Sequence, residues 1–252
     1  GIELGFAKDK YKLSLDVYNK QTNDLLQSRK IPGESGYNTI PDNFGSIENK
    51  GIEMEFSTAP IVSKRFSWNL SFNASSNRNK ITNLGEGIDF YNQTSGGADY
   101  THRMVVGSAL GEFWGYKTAG LLTAEDISNN YPVLGGFAKE GMLKFIDNDH
   151  NNIINDNDKE SLGNAFPKWN LGLNNTFSYR NISLNVFVYA VLGQKILNQN
   201  LLYSSYGTPI GVPSKDYIDN HWTPENKSAY YPQASQFSGN SQTTDRLIED
   251  GS

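Results

Sequence analysis

The sequence predicts an all-β protein: an antiparallel transmembrane β-barrel segment, about eight strands of a larger barrel, with long extracellular loops. Three observations lead there. Apolar and polar residues alternate with a period of two in several stretches. Short turns and long polar segments alternate along the chain, as they do in bacterial outer-membrane barrels. The composition (37% hydrophobic, 19% charged, 24 glycines in 252 residues) suits many strands joined by polar loops better than a helical bundle.

The first expected hairpin pairs about 1–6 with 11–19 across a turn at Ala7–Lys10. Tyr11, Leu13, Leu15 and Val17 fall on one face, and Lys12, Ser14, Asp16 and Tyr18 on the other. A long loop, 19–46, leads to a second hairpin of 48–58 with 65–76, turning at Pro60–Lys64. There Phe66, Trp68, Leu70, Phe72 and Ala74 oppose Ser67, Asn69, Ser71, Asn73 and Ser75. About five outward residues per strand suit a tilted membrane-spanning strand. After loop 77–97, a third hairpin is expected from 99–106 with 112–119 around Gly107–Gly111. It is short and interrupted by Gly107, Gly111, Gly115 and Gly120, which weaken strand interiors. Loop 121–167 precedes the fourth hairpin, 168–179 with 182–192, turning at Arg180–Asn181. Its second strand carries Ile182, Leu184, Val186, Val188 and Ala190 on one face. A last long segment covers 194–252. A soluble β-sandwich would also alternate. Loops of this length are uncommon in compact soluble domains, however, and sustained rows of Asn, Ser and Glu suit a wet lumen.

The net charge of −5 comes without a Lys/Arg stripe, so no nucleic-acid partner is expected. With no cysteines, disulfides and thiolate chemistry are excluded. No apolar run reaches the roughly 18 residues of a membrane helix, which says nothing against a barrel. The sequence opens at Gly1 without a start Met or leader, so a piece of a longer chain is expected. His102, His150 and His221 fall in no metal or triad spacing, and no nucleophile-elbow, phosphate-loop or zinc-protease motif occurs. No catalytic residue and no enzymatic activity are expected. A glycan-cleaving enzyme would need two carboxylates facing across a cleft, and no motif supplies them.

The sharpest local motif runs from Asp147 to Asp158. It places oxygen ligands at positions 1, 3, 5, 9 and 12 of a calcium loop, with a backbone carbonyl at 7. These are Asp147, Asp149, Asn151, Asn155, Asp158 and the Ile153 carbonyl, with Ile154 as the apolar pin. Asn152 stands where Gly makes the sharp turn, and Asp158 replaces the longer Glu. The competing reading is an Asx-rich surface turn that binds nothing. A bound Ca2+ would stiffen an extracellular loop. Trp68, Trp114, Trp169, Tyr18, Tyr179 and Phe177 lie near strand ends and suggest an interfacial aromatic belt. Tyr203, Tyr206, Tyr217, Trp222, Tyr230 and Tyr231 crowd segment 199–237. They suit a sugar, a peptide, a protein partner or the loop's own packing, so substrate residues stay unassigned.

Five stretches resemble the SusC/RagA-type TonB-dependent transporters. They are LSLDVYNKQTNDLL (13–26), NFGSIENKGIEMEFS (43–57), VGSALGEFWGYKTAGLL (106–122), the block from Phe145 to Asn198, and DNHWTPENKSAYYPQAS (219–235). Ala109 departs from the family pattern, where Pro is usual. The resemblance covers most of the chain. It implies the C-terminal part of a barrel of about 22 strands, without its plug and last strands. It also implies the outer membrane of a Gram-negative bacterium, contact with membrane lipid, and a SusD-like surface lipoprotein as partner. TonB would act through the missing N-terminal part, and glycans or peptides would be imported. Eight strands cannot close such a barrel, and open edges in lipid leave backbone groups unpaired. The chain is therefore expected to need the rest of its barrel to fold. The alternative is a soluble, secreted carbohydrate-binding β-domain with a calcium loop.

Overall fold

The computed structural model describes residues 1–30, 36, 39–43, 45–85, 90–93, 102–205, 212–233 and 242–252. The first six strands are β1 (Ile2–Phe6), β2 (Tyr11–Thr22), β3 (Leu26–Lys30), β4 (Thr39–Asn43), β5 (Ser46–Val62) and β6 (Phe66–Asn83). Then come β7 (Phe90–Gln93), β8 (His102–Val105), β9 (Glu112–Gly115), β10 (Thr118–Leu121), β11 (Leu143–Phe145) and β12 (Glu160–Asn164). The last are β13 (Trp169–Tyr179), β14 (Ile182–Leu192), β15 (Lys195–Leu197) and β16 (Ile248–Asp250). Three short helices, α1 (Ala124–Ser128), α2 (Gln199–Ser205) and α3 (Lys215–Asn220), lie in the long connections.

The longest strands form one antiparallel sheet in the order β1-β2-β5-β6-β13-β14. Its register converts the sequence alternation into two chemically distinct faces. Leu4, Leu13, Phe56, Phe72, Leu173 and Val188 are consecutive cross-strand partners over all six strands. One residue along, the corresponding row on the other face reads Glu3, Ser14, Glu55, Asn73, Gly172 and Tyr189. A slip of one residue in any pair would exchange the faces, so the apolar pattern fixes the register. Along β6 the apolar stripe runs from Phe66 to about Ser76 before Arg78 ends it. Ten residues at about 3.3 Å, tilted by about 40°, rise about 25 Å, the height of the apolar band on membrane barrels.

No other described part of the chain covers this stripe. On β14, Ile182 is 72% exposed and Leu184 58%. A soluble sandwich would bury those residues against a second sheet. The clustered core lies elsewhere, in the long connections: Tyr116, Leu143, Phe145, Ile154, Leu202, Tyr217, Tyr231 and Leu247 pack together.

The turns at 7–10, 63–65 and 180–181 all lie at one end of the sheet. The first is tight enough that Ala7, Lys8 and Asp9 are all left-handed. The second hairpin is longer than expected: β5 runs through Pro60 and Ala59 with a bulge between Thr58 and Ile61, and turns only at 63–65.

The expected third hairpin does not join the sheet. β8 and β9 touch at a single pair, His102 with Phe113. They belong instead to a separate four-stranded sheet, β12-β9-β8-β7, while β10 pairs with β11. Six strands, rather than eight, therefore share the large sheet. The Gly107–Gly111 turn docks on the upper end of β6: Gly107 N donates to Ile81 O (2.8 Å) and Ile81 N to Ser108 O (2.9 Å). Above Ser75, β6 has no register with β13, and this turn takes up its free hydrogen-bonding groups. Connection 121–167 and the described residues of 194–252 are likewise folded rather than structureless.

Candidate functional site

The polar sheet face is uneven in charge. Its β1, β2 and β5 part carries Glu3, Lys12, Asp16, Glu53 and Glu55, with Asp16 directly opposite Glu53. Its β6 and β13 part carries only amides, hydroxyls and one glycine between Ser67 and Asn79 and between Asn170 and Ser178. A recess on this face is lined by Glu3, Lys12, Ser14, Glu55, Ser71 and Asn73. A second, beside it, includes Ser57, Asn69, Asn174 and Thr176. The face can hold water and hydrogen-bond a polar solute. The described residues place no nucleophile–base pair on it.

Beyond the end of the sheet opposite the turns, distant segments interlock. Tyr116 N donates to Thr243 O (2.9 Å), and Asp245 N returns a bond to Tyr116 O (3.1 Å). Thr118 Oγ1 donates to Asp245 Oδ1 (2.9 Å) and accepts from Arg246 Nε (3.1 Å). A Cβ on Gly115 would lie 2.3 Å from Thr243 O, so only glycine lets the two backbones meet. Thr123 caps α1 in a reciprocal capping box with Asp126. Lys144 Nζ also reaches Asp126. The Lys144 hydrogen bond, opposed by partial desolvation and aided by the Thr123 bonds, holds the Asp126 carboxyl below the usual carboxylate range. The ammonium sits 4.3 Å over the Tyr131 ring, and Tyr131 donates its hydroxyl to Phe145 O (2.7 Å). Burial pushes that phenol up.

The Asp/Asn loop ties into this core. Carboxylate oxygens of Asp147, Asp149 and Asp158 lie within 4.8 Å of one another, the one such acidic group found among the described residues. Asn152 takes the left-handed turn at φ 62°, the place where the motif would ordinarily have Gly. Ile154 is buried in the loop core. Asp158 is fully buried, with its two oxygens accepting from Asn148 N (2.9 Å) and Asn155 N (2.7 Å). Asp147 accepts from Asn152 N (2.8 Å); desolvation opposes ionisation, but this and other backbone N–H bonds bring its carboxyl down. Asn151 Oδ1 accepts from Ile153 N (2.7 Å). Asn155 Oδ1 accepts from Asn157 N (2.8 Å), capping a short 3-10 helix, while its amide lies 3.4 Å from Ile153 O. The three aspartates thus converge, and the Asn151 and Asn155 side chains are engaged within the loop.

The aromatics divide. Trp68 and Phe177 stack at 5.8 Å on the apolar face near the turns. On the same face of β13, Tyr179 lies at the turn end and Trp169 at the other. Tyr18 does not join a belt: it lies on the polar face, folded over Gly51, whose missing Cβ makes room for the ring. Trp114 belongs to the separate sheet, where Arg103 sits 4.9 Å over its ring. In 199–237, Tyr217 and Tyr231 are core residues and Trp222 packs on Gly141, whereas Tyr230 is exposed. Tyr206 lies outside the described residues. His221 turns Nδ1 to the Tyr217 and Ile218 carbonyls, and His102 packs on Phe113. No local pattern announces the 116–118 contact with 243–246, because its members are more than a hundred residues apart.

A large antiparallel sheet, apolar on one face and polar on the other, with turns at one end and folded connections at the other, is the class this architecture defines. The sequence is similar to TonB-dependent receptor P3 of Formosa agariphila, 31% identical over all of this chain and 25% of that protein. TonB-dependent receptor P26 of the same organism is 32% identical over the same shares. TonB-dependent receptor SusC of Bacteroides thetaiotaomicron is 30% identical over 75% of this chain and 19% of its own length. No protein-family model matches. The chain belongs to the SusC-type TonB-dependent receptors. It spans about a quarter of the length of the curated relatives it matches over its whole length. In fold it is similar to the RagAB peptide transporter, with a TM-score of 0.75 at 20% identity over 98% of this chain and 26% of that one.

Proposed function

We propose that the chain is part of the barrel wall and surface loops of a TonB-dependent importer in the outer membrane of a Gram-negative bacterium. It works without catalysis, moving oligomeric nutrients, glycans or peptides, together with a SusD-like surface lipoprotein. TonB supplies energy through parts of the protein outside this sequence. The observation that carries the reading is the six-stranded sheet, apolar and uncovered on one face and polar on the other, in a chain related to SusC. The apolar face meets lipid. The polar face lines the passage. The interlocked connections form the outer rim on which a lipoprotein can sit.

The Asp147–Asp158 loop holds Ca2+ in this reading, through Asp147, Asp149 and Asp158 with Asn151, Asn155 and the Ile153 carbonyl. The cation relieves the repulsion of three converging carboxylates and stiffens the rim. The test of the function is fractionation of the intact parent protein. Recovery in the outer membrane, heat-modifiable gel mobility and co-purification with a lipoprotein are expected. A soluble protein that folds without detergent would leave the carbohydrate-binding domain as the better reading.

A further inference from the structure

The apolar face of the sheet turns basic where its stripe ends. Val17, Ile52 and Ser76 are cross-strand partners on β2, β5 and β6 and form the last row of the stripe. One row higher on the same face stand Asn19, Lys50 and Arg78. Lys50 and Arg78 are thus direct partners, an arrangement of like charges that repels. One row higher again, Glu48 faces Lys80. Lys50 Nζ turns to Glu48 Oε1 at 2.8 Å, whereas Arg78 has no ion pair among the described residues. Three cations therefore share one acid. The two lower rows line a single open recess, apolar below and basic above. Lys50 lies inside the sheet, with Asn19 beside it on one strand and Arg78 on the other, so the patch is not a sheet edge.

We propose that Lys50 and Arg78 bind the phosphate of a phosphorylated glycolipid in the outer leaflet, with its acyl chains against Val17 and Ile52. The inference rests on the transporter reading above, which turns this face to lipid and the long connections outward. The outer leaflet of a Gram-negative outer membrane is built on lipid A, a glucosamine disaccharide bearing phosphates and acyl chains. A phosphate monoester carries a charge of about −1.5 to −2 at pH 7, which matches the excess of two positive charges in the patch. An arginine fork with no carboxylate to hold can take two phosphate oxygens, and a lysine beside it adds a point charge. The anion would also relieve the repulsion between the two cations. Ser76 and Asn19 supply neutral hydrogen-bonding groups at the same level. Val17, 71% exposed, continues the lipid-facing surface directly beneath. A zwitterionic phospholipid brings its own ammonium to this place and gains less from the patch.

The test uses the intact parent transporter, purified in detergent. Its binding of diphosphoryl lipid A is compared with that of enzymatically dephosphorylated lipid A, phosphatidylglycerol and inorganic phosphate. Diphosphoryl lipid A is expected to bind at least tenfold tighter than the dephosphorylated form or phosphatidylglycerol, and millimolar inorganic phosphate should not displace it. The K50A/R78A double variant should lose about tenfold in affinity for diphosphoryl lipid A, while E48Q, which removes the competing acid, should gain. Equal binding of the phosphorylated and dephosphorylated lipids, equal binding of phosphatidylglycerol, displacement by free phosphate, or unchanged affinity in K50A/R78A would each overturn the proposal. The lipid comparison on the unaltered protein stands even if the double variant fails to fold, which its heat-modifiable gel mobility reports. Fractionation separates the two failures. A parent protein placed in the outer membrane that ignores the lipid A phosphates sinks only this site. A parent protein absent from the outer membrane sinks the transporter reading itself.

Discussion

Trp68 donates its indole N–H to the side-chain oxygen of Asn175 at 3.1 Å, joining β6 to β13 across 107 positions of sequence. Asn175 shares its face with Leu171, Leu173 and Phe177, so its amide stands on the apolar surface that the proposed function turns toward lipid. A polar group there is costly unless paired, and the tryptophan supplies the pair.

Trp68→Phe should therefore destabilise the folded parent protein by about 1–3 kcal/mol, the cost of leaving a partly buried acceptor unmet in an apolar surround. Asn175→Val in the same background should recover much of that loss. Urea unfolding in lipid vesicles, read as a double-mutant cycle, checks both. Additive effects of the two changes would contradict the pairing.

Gly51 makes room for the Tyr18 ring. A Cβ at 51 would lie 2.3 Å from the Tyr18 ring, which rests across the strand on the polar face. Gly51→Ala should cost about 0.5–1.5 kcal/mol, because the displaced atoms are the far end of a half-buried side chain that can swing away. Tyr18→Ser should suppress that cost, and the unfolding midpoint of the double variant measures it.

Acid should loosen the rim. Lys144 holds the Asp126 carboxyl below its ordinary value of about 3.9, so the stabilisation is complete above that value and disappears as pH falls through the lower, folded value. The amide protection factors at Tyr131 and Phe145, corrected for intrinsic exchange, should fall below about pH 4. Asp126→Asn should show faster exchange already at neutral pH, by about 1 kcal/mol, and lose the acid dependence. An unchanged pH profile in that variant would contradict the assignment.

The calcium loop predicts a protection difference. With Ca2+, limited proteolysis should spare 145–159, and chelation should open it to cleavage. Asp147→Asn combined with Asp149→Asn should make cleavage independent of calcium. Equal protection with and without the ion would favour the Asx-turn reading, in which the backbone N–H groups of Asn148 and Asn155 hold the Asp158 carboxylate.

The alternation in 11–17, 66–75 and 182–190 made the large sheet legible, because a period of two assigns every residue to a face. The same signal failed at 99–119. Its glycines read as interruptions of a hairpin, but Gly107 and Gly111 shape a turn that docks on Ile81, and Gly115 admits the Thr243 backbone. The convergence of three aspartates was visible in the spacing of the loop. The rim core was not, since Tyr116, Leu202, Tyr217 and Leu247 come from segments with no shared periodicity. Tyr18 lies near a strand end, as a belt residue would, but its even position in β2 puts it on the polar face.

In the proposed function β13 has lipid on one side and water on the other. Single spin labels at 170, 171, 173, 174, 176 and 177 of the intact parent protein, reconstituted in vesicles, distinguish the two environments residue by residue. Accessibility to oxygen should peak at 171, 173 and 177, and accessibility to a water-soluble nickel chelate at 170, 174 and 176. A flat profile, or inaccessibility of the odd positions to both reagents, would mean that the apolar face is buried in protein and that the strand does not span a membrane.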